Sequence, residues 1–199
     1  DGVRFLPAQL HSICAQDHTA WKVILSDDGS SDNTCAVARS ILDETRLRIL
    51  TGPRLGLTQN FWNGLAHVQR GHYAAFCDQD DIWCTHKISR AVERLRTINH
   101  PALYSAGRFV TDTNMNILDT QYRSPVSGFT RALWRNHAAG HTCVLNPAAV
   151  QSLKAFKPPI GVAFHDWWAV LVLCGTGAHF VHDPTPVLYY RQHSNNVIG

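Results

Sequence analysis

Apolar and polar residues follow two rhythms along this chain, and the rhythm changes repeatedly. In residues 5–16, Leu6, Leu10, Ile13 and Cys14 fall on one face at helical spacing, and residues 21–26 then form a short apolar run that reads as a buried strand. A polar loop covers 27–33. Helical period returns over 34–43 with Val37, Ile41 and Leu42, and 47–50 is strand-like. After the turn residues Gly52, Pro53 and Gly56, a helix carries Phe61, Leu65 and Val68 on one face, and 73–77 makes the next apolar strand. An acidic loop then opens an amphipathic helix over 85–98, with Ile88, Ala91, Val92, Leu95 and Ile98 inward and Arg90, Glu93, Arg94 and Arg96 outward. Strands alternating with helices predict an α/β fold with a parallel sheet, whose ligands sit at the C-terminal strand ends, where both acidic loops fall.

The second half is less regular. Short strands are expected at 103–110 and 141–145, and helices at 129–136 and 147–155. Pro158-Pro159 breaks the chain before a last helix at 164–174; a strand around Phe180, a turn at Pro184 and Pro186, and a strand at 187–190 follow. There is no repeat and no low-complexity segment. A length of 199 residues with an even apolar-polar mix predicts one globular domain.

Composition narrows the function. A net charge of +3, with Lys and Arg scattered singly among acids, builds no phosphate-tracking surface, so nucleic acid is not an expected partner. The longest apolar run, 167–174, falls far short of the roughly 20 residues that span a bilayer, and no signal-like segment opens the chain, so the domain is expected to be soluble. Six cysteines without a C-x-x-C pair predict reduced, mostly buried thiols suited to a reducing cytoplasm.

The chemistry concentrates in the two loops. Asp27-Asp28-Gly29-Ser30-Ser31-Asp32-Asn33-Thr34 links a strand to a helix. Its oxygens suit helix capping, the expected role of Asp32 or Thr34, but two adjacent carboxylates exceed what a cap needs, and one can accept the imide N–H of uracil or thymine. Asp78-Gln79-Asp80-Asp81-Ile82-Trp83 puts three carboxylates within four residues, where repulsion is costly without a cation. Mg²⁺ or Mn²⁺ takes hard oxygen ligands from carboxylates and substrate phosphates; the plainer alternative is a solvated acidic turn capping the next helix.

Together with Gln9-x-x-Ser12-Ile13-x-x-Gln16, these loops resemble family 2 glycosyltransferases of the GT-A fold, most of all the bacterial rhamnosyltransferase-like branch. Asn60-Phe61, Gly140-His141-Thr142, His165-Asp166-Trp167-Trp168 and Tyr190-Arg191-Gln192-His193-x-x-Asn196 extend the resemblance across the chain. It implies a Rossmann-like, mixed but mostly parallel sheet flanked by helices. It also implies nucleotide binding by Asp28, Asp27, Asn60 and Asp78, and a D-x-D metal motif of Asp78 and Asp80, with Asp80 the direct ligand, Asp81 orienting the loop and His193 near the metal. Asp166 takes the place of the catalytic base, although alone it reads as a first-turn helix acid. His165, Trp167 and Arg191 are candidates for contact with acceptor or diphosphate; for Trp83, Trp167 and Trp168 a core role competes with sugar stacking.

Relatives begin with an apolar strand ending in a Thr-Tyr-Asn-Gly-like turn, whereas this chain opens at Asp1-Gly2, and relatives continue past its end. A fragment is therefore expected, lacking the first strand and a C-terminal part, with residues 1–98 as the nucleotide-sugar half and 99–199 as the acceptor half. The expected function is inverting, Mn²⁺- or Mg²⁺-dependent sugar transfer from a UDP- or dTDP-linked donor to a saccharide or lipid-linked acceptor, in cell-surface polysaccharide biosynthesis. The expected location is the cytoplasm or the inner face of the membrane, with peripheral membrane association of the full-length protein. An inactive sugar-nucleotide-binding module and a Mg²⁺-dependent phosphoryl-transfer enzyme are the alternatives; the absence of a basic phosphate loop before the acids argues against the second.

Overall fold

The computed structural model describes residues 1–123, 128–194 and 196. It opens with α1 (Leu6–Cys14), β1 (Val23–Asp27), α2 (Thr34–Ile41), β2 (Leu47–Thr51) and α3 (Leu57–Ala66). β1 and β2 pair in parallel, Val23 opposite Leu47 through Asp27 opposite Thr51. Then come β3 (Ala74–Ala75), β4 (Ile82–Trp83), α4 (Lys87–Leu95), β5 (Ala102–Thr111), β6 (Ile117–Gln121), α5 (Phe129–Ala132), a 3₁₀ turn (Gly140–Thr142), β7 (Val144–Leu145), α6 (Pro147–Ala155), α7 (His165–Gly175) and β8 (His179–Arg191). The second sheet runs β3-β7-β5-β8-β4, with β6 beside β5.

Helices flank a mixed sheet, as the resemblance implied, where alternation alone predicted a parallel one: β1–β2 and the long β5–β8 ladder are parallel, whereas the shorter β3–β7, β4–β8, β5–β6 and β5–β7 pairings are antiparallel. Periodicity reports which segments are strands, but pairing direction is set by where the chain returns, which local pattern does not encode.

Three apolar clusters hold the layers. Trp62, Leu65, Phe76, Leu103, Leu145, Leu153, Val170 and Leu173 join α3, α6 and α7 to the sheet. Leu6, Leu10, Ile13, Ala38 and Leu42 pack α1 and α2 around Trp83 and Leu188. Ala91, Leu95, Tyr104 and Val187 seat α4 on β5 and β8. Asn146, almost fully buried, ties three elements through one side chain. Its Oδ1 accepts from Ala149 N in the first turn of α6 (2.9 Å) and from Ala102 N at the start of β5 (3.0 Å), while Nδ2 donates to the Ile98 and His100 carbonyls (3.0 and 2.8 Å).

Several local expectations are corrected. The strand expected at 141–145 is a 3₁₀ turn followed by two strand residues, and the helix expected at 129–136 ends at Ala132. β6 was not foreseen, because all five of its residues are exposed and no apolar alternation marks it. The strand–turn–strand expected around Pro184 and Pro186 is one strand, β8. The prolines sit in a bulge, where β8 advances from Asp183 to Pro186 while β5 advances only from Ala106 to Gly107. Residues without an N–H are tolerated there because the ladder is already interrupted. All six cysteines are free; Cys143 is buried and Cys14 exposed.

Gly107 makes the bulge possible, since a Cβ on it would lie 2.5 Å from the Pro184 carbonyl oxygen and 3.1 Å from Pro186 N. Both obstacles are backbone and cannot rotate away. Gly107→Ala is expected to destabilise the fold by about 1–3 kcal/mol, the usual cost of overpacking, read as a lower urea midpoint at unchanged m-value.

Candidate active site

The acidic loop between β3 and β4 is fastened by one face of α1. Gln9 and Ser12 lie three residues apart on one side of α1, Gln16 follows two residues past its end, and all three are buried. Gln9 Nε2 donates to Cys77 Sγ, Ser12 Oγ accepts from Trp83 N (3.0 Å), and Gln16 Nε2 donates to the Cys84 carbonyl (2.8 Å). Gln16 Oε1 then accepts from Ile88 N at the start of α4 (3.1 Å). The motif read on sequence as a resemblance is therefore a polar ladder along the backbone that carries the acids.

Within the loop the carboxylates divide into two groups. Asp78, Asp81 and His141 each offer a ligand atom within 4.8 Å of the others. Asp80 instead pairs with His193, whose Nε2 lies 2.9 Å from Oδ2. Of the expected metal residues, the structure thus joins Asp80 to His193 and Asp78 to Asp81 and His141. Asp81 is fully buried: Oδ1 accepts from Arg191 N (3.3 Å), and Oδ2 has no hydrogen-bond partner among the described residues. Burial, and then the charges of Asp78 and Asp80, push its carboxyl well above the ordinary value. Burial also works against charge on Asp78, but the His141 N–H, the neighbouring histidines and Lys87 outweigh it and hold that carboxyl low.

His141 has its roles fixed by its neighbours. Arg108 Nη1 lies 2.9 Å from His141 Nε2, and a guanidinium can only donate, so Nε2 is the acceptor. Burial depresses the imidazole pKa and favours the neutral ring, leaving the proton on Nδ1. Nδ1 faces Asp78 Oδ2 at 3.4 Å and Asp81 Oδ2 at 3.6 Å. In this arrangement the Nδ1–H of His141 is turned to Asp78, and the Asp81 Oδ2 is left free to act as a ligand. Hard carboxylate oxygens, one of them a buried Oδ2 lacking a partner, suit Mg²⁺ or Mn²⁺.

The first loop sits at the end of β1. Asp27 Oδ1 accepts from the Ser30 N–H and hydroxyl, which lowers its pKa. Asp28 Oδ1 accepts from Arg54 N (2.6 Å). Asn60, on α3, is held to β1: its Nδ2 donates to the Ser26 carbonyl (2.8 Å) and its Oδ1 accepts from the Ser26 hydroxyl (2.6 Å). Asp32 accepts from Thr34 N (2.9 Å) as a turn residue; neither it nor Thr34 is the N-cap of α2, a position held by Asn33. The N-terminal residues bridge the two loops, for Asp1 Oδ1 accepts from Ser31 N (2.7 Å), Gly2 N donates to Thr34 Oγ1 (2.8 Å) and Gln79 Nε2 reaches the Asp1 carbonyl (3.5 Å).

Asp166 lies in the first turn of α7, half-buried. Its Oδ2 accepts from Gly140 N (2.9 Å) and its Oδ1 from Trp167 N (2.8 Å). Gly140 immediately precedes His141, so one short turn connects Asp166 to the metal-type carboxylates. His165 is buried, stacked on Phe61 (3.7 Å) and edge-on to Phe76 (5.0 Å). Trp167 Nε1 donates to the Ala132 carbonyl (2.7 Å), and Arg191 donates through Nε to the Asp80 carbonyl (3.0 Å) and through Nη1 to that of Thr113 (2.8 Å). The polar atoms of Trp167 and Arg191 thus fasten backbone.

Lys87 and Arg108 carried no role in the sequence reading. Lys87 is fully buried, with Nζ on the His141 carbonyl and 4.4 Å from the Trp83 ring centroid. Burial pushes its pKa down to about 8. A signal existed: Lys87, Ala91 and Leu95 recur every four residues, so this lysine stands in the buried stripe of α4.

The parallel β1-α2-β2 unit, the acidic loop in a mixed sheet and the flanking helices are those of a glycosyltransferase of the GT-A class. The model of glycosyl transferase family 2 matches residues 4–150, and the chain belongs to that family. It is 26% identical over 213 aligned positions to the dTDP-rhamnosyl transferase RfbG of Shigella flexneri, covering 100% of this chain and 72% of that protein. It is 24% identical over 197 positions to the UDP-Glc:alpha-D-GlcNAc-diphosphoundecaprenol beta-1,3-glucosyltransferase WfaP of Escherichia coli, covering 96% of this chain and 73% of that one. The crystal structure of S. aureus TarS 1-349, solved also in complex with UDP, superposes with a TM-score of 0.70 at 14% identity. That likeness is one of fold, and it covers 96% of this chain and 57% of TarS 1-349.

The raised Asp81 pKa has a consequence for the metal-free protein. The folded carboxyl keeps its proton above the pH at which the unfolded chain ionises, so the stability it contributes is present at pH 4 and lost as pH rises through the folded pKa. Asp81→Asn, which keeps an oxygen for Arg191 N, is expected to raise the urea midpoint at pH 7 in chelator and to flatten the decline above pH 4. An Asn variant less stable than the parent under those conditions would show that the ionised carboxylate is tolerated.

Proposed function

We propose that this chain carries the donor-binding and catalytic core of an inverting glycosyltransferase, moving a sugar from a UDP- or dTDP-linked donor to a hydroxyl of a saccharide or lipid-linked acceptor. The observation that carries the reading is the meeting of Asp78, Asp81 and His141, with Asp80 beside them on His193 and a buried Asp81 oxygen that has no partner among the described residues. Family membership and the donors in the names of RfbG and WfaP support it. The diphosphoundecaprenol-linked acceptor in the name of WfaP supports a part in polysaccharide assembly, which we place on the cytoplasmic side of the membrane.

Residues 1–98 take the donor and residues 99–199 face the acceptor. Asp28 accepts the imide N–H of the base, while Asp27 and Asn60 hold the β1 end in shape. Asp78 and Asp80 hold Mn²⁺ or Mg²⁺, with His193 orienting Asp80. The ion, when bound, offsets negative charge on the departing diphosphate. Asp166 takes the acceptor proton as that oxygen bonds to the anomeric carbon and the carbon–oxygen bond to the nucleoside diphosphate breaks, its electron pair leaving on the phosphate oxygen. One displacement inverts the anomeric centre. His165, Trp167 and Arg191 keep the helix start and the acidic loop in register, next to the acceptor and the diphosphate.

Calorimetry with uridine and thymidine diphosphates is expected to show binding that depends on Mn²⁺ or Mg²⁺, and Asp80→Ala to abolish that dependence. Equal, metal-independent affinity in both proteins would remove the metal assignment. Asp166→Asn is expected to leave nucleotide affinity unchanged while transfer, or donor hydrolysis, falls about 10²-fold or more, the usual scale for a general base. Transfer at the parent rate would clear Asp166 of that role, and nucleotide binding without any turnover in the parent would favour the inactive binding module.

A further inference from the structure

The longest stretch of the chain without an acidic residue lies between Asp119 and Asp166, and it carries Arg123, Arg131, Arg135, Lys154 and Lys157. Two exposed segments in it flank the N-terminus of α7. In the first, Phe129, Leu133 and Trp134 are 46%, 49% and 85% exposed, interleaved with the exposed Arg131 and Arg135. In the second, Phe156 and Ile160 are 49% and 76% exposed on either side of a turn that also exposes Lys157. Consecutive residues of α7 anchor them: Trp167 Nε1 donates to the Ala132 carbonyl (2.7 Å) and Trp168 Nε1 to that of Phe156 (3.1 Å). Phe129 also lies against α7, near Gly175.

A single exposed apolar side chain is ordinary. Here a nearly bare tryptophan stands with a leucine and a phenylalanine among arginines, and none of Arg131, Arg135 and Lys157 has an acidic partner among the described residues. Indole rings favour the headgroup level of a bilayer, aliphatic chains its acyl boundary, and arginines its phosphates. Each basic residue near an anionic surface adds to the attraction, and salt screens it. Charge complementarity therefore selects an anionic lipid surface as the occupant.

We propose that this rim docks the protein on an anionic phospholipid bilayer, with Leu133 and Trp134 at the acyl boundary and Arg131 and Arg135 on the phosphates. The rim is built from residues other than Asp78, Asp80 and Asp166 and needs no donor to form. Docking in this way sets the start of α7 beside the membrane.

The test is sedimentation of the 199-residue chain with vesicles of phosphatidylcholine alone or mixed with phosphatidylglycerol, at low and high salt. The parent is expected to bind the anionic vesicles at low salt, to be released by high salt and to leave the neutral ones largely free. Leu133→Ser with Trp134→Ser is expected to weaken partitioning about tenfold or more, the scale of losing two interfacial apolar anchors. Arg131→Glu with Arg135→Glu is expected to remove the preference for phosphatidylglycerol. Unchanged thermal unfolding shows that each variant is folded, and Trp134→Phe, a milder change, is expected to bind while losing most of the quenching by brominated lipid. A parent that ignores anionic vesicles at low salt would overturn the proposal, as would a serine variant that binds as tightly as the parent. So would self-association through these residues without any lipid binding.

Discussion

Asp78, Asp80 and Asp81 stand in the loop between β3 and β4, where each charge raises the cost of the others. Much of the surrounding structure reads as an answer to that repulsion. α1 fixes the loop backbone through Gln9, Ser12 and Gln16. α4 buries Lys87 beneath it, β8 supplies Arg191 to its carbonyls, and the 3₁₀ turn brings His141 to two of the carboxylates. These supports come from four separate elements, so the loop is held only once the whole domain has assembled. A divalent cation would complete a balance that protein groups leave unfinished, as the buried Oδ2 of Asp81 indicates.

The joint at Gly140 and His141 gives the site its coherence. The backbone N–H of one residue holds Asp166, and the ring of the next faces Asp78 and Asp81. Arg108, stacked on Tyr190 and donating to His141 Nε2, fixes which ring nitrogen faces the acids. Movement of the metal-type loop is therefore felt at the start of α7, through covalent neighbours rather than a chain of loose contacts.

Much of this was legible before folding. The two strand-end loops and the helices over 6–14, 57–66, 87–95 and 165–175 follow from apolar periodicity, because each buries a face of its own. Asp28 and Asp78 could be singled out since nothing in capping requires paired acids at a strand end. Lys87 was missed because periodicity asks only for apolar residues in a stripe, whereas its place is decided by acids on another segment. β6 lacks any apolar alternation and is held by backbone pairing with β5. The continuity of β8 through two prolines depends on Gly107, distant in sequence, leaving space for the bulge. His193 and Arg191 were recognised by resemblance, but that Arg191 would clasp the Asp80 and Thr113 carbonyls is a matter of chain path alone.

Gly140 has a further consequence for anyone diversifying this scaffold by random mutagenesis. A Cβ there would lie 2.7 Å from His165 Nε2 and 3.0 Å from Asp166 Cβ, so any other amino acid requires the helix start to shift. Libraries spanning the turn should therefore be enriched in glycine at that codon, whatever reaction they are selected for. Codon 141 is bound as closely, because its side chain has to accept from Arg108 and face two acids at once. Two adjacent codons that resist change, one for want of room and one for its paired contacts, would mark the joint in deep-sequencing counts without any assay of chemistry.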